Sequence, residues 1–84
     1  MKINPEYLFS LPYIGSKRVI YARKHLNDFV QQGDILYFSV DDLIILILTQ
    51  NIYNNNSYWS LIVVNGITCY LHQSYIRFMI EIKC

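Results

Sequence analysis

Glycine is scarce in this chain: three residues, far apart, leave no glycine-rich loop that could cradle a phosphate. Cysteine and histidine are equally sparse. Cys69 and Cys84, with His25 and His72, never approach the spacing of a zinc site, so no metal and no cofactor is expected. Both thiols are expected to be reduced, since Cys69 lies in a predicted strand and Cys84 is the last residue given. Charge is thin as well, at 15 % of residues with a net +1, against about 25 % charged residues in an ordinary domain. That excludes the whole-protein field that non-specific nucleic-acid binding requires. The longest apolar run, Leu43 to Leu48, falls far short of the ~20 residues of a membrane helix, so no span is expected. Near the N-terminus, Lys2, Pro5, Glu6 and Pro12 stand where a secretory leader would be continuously apolar, and the protein is expected to stay in the cytoplasm.

What is abundant is apolar surface. Hydrophobic residues make up 54 % of 84 residues, more than a single small core absorbs. The excess is expected to face a second copy, a larger assembly or a ligand groove. Lys17, Arg18, Arg23 and Lys24 gather four of the seven basic residues within a short run. They are candidate phosphate contacts, but such a run reads more often as a solvated strand-and-loop face, which ranks nucleic acid behind protein as a partner.

Residues 1–16 mix Pro5, Pro12 and Gly15 with Tyr7, Leu8, Phe9, Leu11, Tyr13 and Ile14, which predicts an extended arm packed on the rest. Val19 to Ala22 predicts a first strand, and Ile35 to Val40 a second after the Gln31-Gln32-Gly33-Asp34 turn. Asp41-Asp42 reads as a turn. Leu43 to Thr49 is continuously apolar, which predicts a strand covered on both faces, and the Asn-rich stretch Gln50 to Ser57 predicts a loop. The clearest local signal is Asn65-Gly66 between Tyr58–Val64 and Ile67–Leu71, a two-residue type I′ hairpin. Its register sets Val64 opposite Ile67, Ile62 opposite Cys69 and Ser60 opposite Leu71 on one side. On the other side Val63 meets Thr68, Leu61 meets Tyr70 and Trp59 meets His72. Gln73-Ser74-Tyr75 predicts a tight turn, and the alternation of Ile76, Phe78, Ile80 and Ile82 predicts a closing strand.

Three of these segments resemble the SH3 family. Gln31-Gln32-Gly33-Asp34-Ile35-Leu36 is similar to the glycine-aspartate turn before its second strand. Tyr58-Trp59-Ser60-Leu61 is similar to the strand opened by its groove tryptophan, and Cys69 to Ile76 to its closing glycine-aromatic-aliphatic-proline-x-x-tyrosine motif. The Val64-Asn65-Gly66 turn followed by Tyr70 to Tyr75 resembles still more the small SH3-like proteins of large tailed phages, which would place the chain in a host cytoplasm or a virion. The resemblance implies an all-β, SH3-like barrel of five to six antiparallel strands over residues 1–84. In it, 1–16 is a packed arm, 17–84 the barrel and 41–58 an insertion. It assigns Ile62, Val64, Cys69, Leu71, Leu36 and Phe38 to the core, and Trp59, His72 and Tyr75 to a ligand groove. The sequence departs from the family where His72 replaces the proline, Cys69 replaces the glycine, and no alanine-leucine-tyrosine-aspartate-tyrosine motif stands near Tyr21.

The serines, two histidines and scattered acids form no nucleophile–base–orienter pattern, so no enzyme is expected. The expected function is binding of a protein or peptide partner through Trp59, His72, Tyr75, Tyr70 and Leu61. A subunit of a larger assembly, such as a virion, is the alternative, and a nucleic-acid-binding small barrel the second. Homo-oligomerisation is expected from the apolar excess.

Overall fold

The structure, a computed structural model, describes residues 8–11, 19–26, 33–40 and 43–82. The chain is all-β. The described residues form strands β1 (Leu8–Leu11), β2 (Val19–Arg23), β3 (Ile35–Ser39), β4 (Leu43–Asn54), β5 (Ser57–Val64), β6 (Ile67–His72) and β7 (Ile80–Glu81), with a 3-10 helix, Gln73–Phe78, between β6 and β7. They form one antiparallel sheet in the order β3-β2-β6-β5-β4-β1-β7.

The β5–β6 hairpin follows directly from its turn. Asn65 and Gly66 both take positive φ, 51° and 76°, as a type I′ turn requires, and all six cross-strand pairs expected from it are present. Period-two alternation then sorts the faces. Ile62, Val64, Cys69 and Leu71 turn inward and are buried, joined by Leu11, Ile20, Ala22, Phe38, Val40, Leu43, Ile45, Ile47 and Tyr75 in one cluster, against which Leu36 packs.

Several expectations are corrected. The sheet has seven strands rather than five to six, and it is open: β3 and β7 are its two ends and do not pair with each other. The arm contributes a strand of its own, because Phe9 and Leu11 alternate inward as β1 lies between β4 and β7. The expected loop over Gln50 to Ser57 is instead the far half of a β4–β5 hairpin. Asn51, Asn55 and Asn56 adopt positive φ there, so asparagine stands in one β-bulge of β4 and makes a two-residue turn rather than a loop. The expected closing strand from Ile76 to Ile82 begins as the 3-10 helix, since Tyr75, Ile76 and Met79, at near-helical spacing, all reach the core. Only Ile80 and Glu81 remain as strand.

Nor is β4 covered on both sides. Leu43, Ile45 and Ile47 are buried, while Ile44 and Leu48 on the opposite face are exposed. The insertion assigned to 41–58 is therefore integral to the sheet, bonding both β1 and β5. Lys17, Arg18, Asp41, Asp42 and Cys84, with most of the arm, lie outside the described residues.

Candidate functional site

Two pairs of strands meet around one cavity. On the outer side of β2 and β3, Tyr21 stands directly opposite Tyr37, their rings edge-on at 5.2 Å and 82°. One step along, Arg23 stands opposite Ile35. On the outer side of β5 and β6, Trp59 faces His72, again edge-on, at 5.0 Å and 89°. The Arg23 guanidinium carbon lies 5.6 Å from the Trp59 ring centre and so ties the two pairs together by a cation–π contact. With Ser74 and Tyr75 from the 3-10 helix, these residues line an open cavity of about 550 Å³, within the size range of small-ligand and side-chain pockets.

Trp59 is fixed from a second direction. Its indole Nε1–H donates to the Asn54 carbonyl at 3.3 Å, and Asn54 Nδ2 donates to the Leu26 carbonyl at 3.4 Å. The tip of the β4–β5 hairpin thus holds the indole and is itself held by the segment after β2. His72 is fixed through the helix it caps: its Nδ1 accepts the Ser74 backbone N–H at 3.1 Å and lies 3.0 Å from Ser74 Oγ. An acceptor at Nδ1 puts the imidazole proton on Nε2. The serine–histidine distance is that of a nucleophile and its base, but the Nδ1 lone pair is already engaged by the Ser74 backbone N–H, which makes this a cap.

The structure therefore brings Trp59, His72 and Tyr75 to one cavity. Leu61 and Tyr70, directly opposite each other on the same outer face, are half-buried and line no part of it. The basic run divides. Arg23 is buried in the cavity wall, Lys24 is exposed, and Lys17 and Arg18 fall outside the described residues. Tyr21, Ile35, Tyr37 and Ser74 also line the cavity and were not among the site residues expected from the sequence. Parity held the missing signal, because Leu36 and Phe38 facing inward puts Ile35 and Tyr37 outward. The register that sets Tyr37 against Tyr21 depends on the connection between β2 and β3, where the Gln31-Gln32-Gly33-Asp34 turn signal does not fix a pairing as a two-residue hairpin turn does.

Chemically the cavity is a ring of aromatic faces with one guanidinium and no carboxylate among its lining residues. Cys69 lies on the opposite, inner face, and burial pushes its thiol up to about 11, away from reactivity at neutral pH. Among the described residues no three of His, Cys, Asp and Glu gather as a metal site, and no helix is long and apolar enough to cross a membrane. Comparison with protein-family models, curated proteins and solved structures returns no match.

Proposed function

We propose that this chain is a non-enzymatic protein-interaction module of SH3-like character that holds a protein or peptide partner in the cavity between β2–β3 and β5–β6. The observation that carries this is the convergence of Tyr21, Tyr37, Trp59 and Tyr75 on about 550 Å³ of unfilled space. Aromatic rings already locked by their neighbours supply contact area at little entropic cost, which is how interface anchors work. The resemblance to SH3 domains supports the reading, since its groove positions map onto Trp59, His72 and Tyr75. The test is paired capture. Wild-type and Trp59→Ala chains are immobilised and exposed to the same extract of the native source. Retention of a protein by the wild type alone, insensitive to salt, is expected. Equal retention by both chains sinks the proposal, and retention that collapses with salt and with Lys17, Arg18 and Lys24 changed to Ala moves it to nucleic acid.

A second reading, a subunit of a larger assembly, is favoured by Ile44, Leu48 and Ile80, apolar and exposed toward the β4–β1–β7 side of the sheet. Light scattering separates the two: concentration-dependent association that persists in Trp59→Ala belongs to that surface and not to the cavity.

A further inference from the structure

The two ends of the sheet are built differently. β7 is two residues long and carries Glu81, a short and charged end of the kind that discourages further pairing. β3, Ile35-Leu36-Tyr37-Phe38-Ser39, is longer and has no charge, no proline and no bulge in its register with β2. Among the described residues β3 shows none of the usual protections.

Hydrogen-bond parity shows which of its groups face outward. Lys24 N–H donates to the Asp34 carbonyl at 2.8 Å, and these two residues continue the β2–β3 register. In an antiparallel ladder bonded and non-bonded pairs alternate, so Leu36 and Phe38 bond to β2. The backbone N–H and C=O groups of Ile35, Tyr37 and Ser39 then point away from it. Arg23 checks the parity from the other strand: opposite Ile35, it turns its own backbone away from β3 and pairs with Tyr70 of β6. Among the described residues no strand pairs with the outward groups of β3.

The residues with outward backbone groups also carry the cavity wall. Ile35 and Tyr37 line it, and they are 39 % and 64 % exposed. A strand bonded to them places the residues directly opposite on the same face of the sheet, at the cavity mouth, with alternate side chains about 7 Å apart. Building on the cavity reading, we infer that the partner is an extended segment of another protein that adds as an antiparallel strand to β3. Its alternate side chains, large and neutral, enter between Tyr37, Trp59 and Tyr75. Cations are disfavoured because the Trp59 face that would attract one already holds Arg23. A second copy pairing through its own β3 fits poorly: its Tyr37 ring is already packed against its own Tyr21, so neither cavity would be filled.

Trp59 is the only tryptophan and stands in the cavity wall, so its emission reports occupancy directly. The probes are acetylated, amidated peptides Ser-Thr-Xaa-Thr-Xaa-Thr-Ser with Xaa as Tyr, Leu or Lys. Saturable change with Tyr and Leu is expected, with Lys about tenfold weaker or worse. N-methylation of the Xaa amides should weaken binding about tenfold, while N-methylation of the intervening Thr amides should not. Ser39→Pro, which removes an outward N–H and no bond to β2, should weaken binding similarly while unfolding stays cooperative. Equal effects of the two methylation patterns overturn strand addition, as does sedimentation showing a dimer of this chain that Ser39→Pro dissociates. If no peptide moves Trp59 emission while Trp59→Ala still loses its captured protein, strand addition falls and the cavity reading stands. If capture is also indifferent to Trp59→Ala, both fall.

Discussion

The β5–β6 hairpin has two apolar faces with opposite fates. Ser60, Ile62, Val64, Cys69 and Leu71 on one are buried, while Trp59, Leu61, Val63, Tyr70 and His72 on the other are only half-covered and Thr68 is exposed. Hydropathy does not distinguish them. What does is position: the inner face meets side chains from β1 to β4, and the outer face, among the described residues, meets the rim of β2–β3 through Arg23 and the β4–β5 hairpin tip through Asn54. An apolar face is therefore not a core until other strands of the chain close over it, and the part left uncovered is where a partner can gain.

The sharpest way to break this comparison is to truncate one residue on each face. Leu71→Ala should destabilise by about 2–5 kcal/mol in urea denaturation, through lost burial plus a cavity. A loss under 1 kcal/mol would invert the faces. Cys69 tests the inner face by pH. Its folded thiol titrates at about 11 against 9.0 for an ordinary one, so the folded state holds its proton more tightly. That stability is complete below pH 9 and declines as pH rises toward 11, by on the order of 3 kcal/mol. Tyrosine ionisation is common to the wild type and Cys69→Ala, so the difference between their stability–pH curves isolates the thiol, and parallel curves would contradict its burial. Trp59→Ala should cost roughly 1–2 kcal/mol, since its indole is half-buried, and unfolding should remain cooperative while partner capture is lost. A cost equal to that of Leu71→Ala would make Trp59 a core residue. Thr68→Ala, exposed opposite Val63, should stay within about 0.5 kcal/mol by thermal melting.

The hairpin was legible because Asn65-Gly66 fixes a register, and a register assigns every residue to a face. The same chemistry was unreadable at Asn55-Asn56. Two bulges in β4, between Ile47 and Ile52, break the parity that would have tied Gln50–Asn54 to β5, and a polar strand without parity looks like a loop. After His72 the alternation of Ile76 to Ile82 was real, but Tyr75, Ile76 and Met79 also suit a tight helix capped by the His72 ring, and core contact decided between them. Of the cavity, the hairpin register set Trp59 opposite His72 on one face, and the resemblance to SH3 domains assigned that face, with Tyr75, to a groove. The β2–β3 half needed a long-range pairing that no local turn encodes, since among the described residues β2 joins β6 through the one pair Arg23 and Tyr70.

The place of β1 bears on how the chain acquires its fold during synthesis. β4, β5 and β6 are successive hairpin partners joined by two-residue turns and can pair as soon as they are made. β1 precedes them in the chain but must wait for β4, and its Phe9 meets Glu81 only when nearly all the described chain exists. Until then the outer edge of β1 is an unsatisfied template. That interval is a stage open to misassociation on the ribosome.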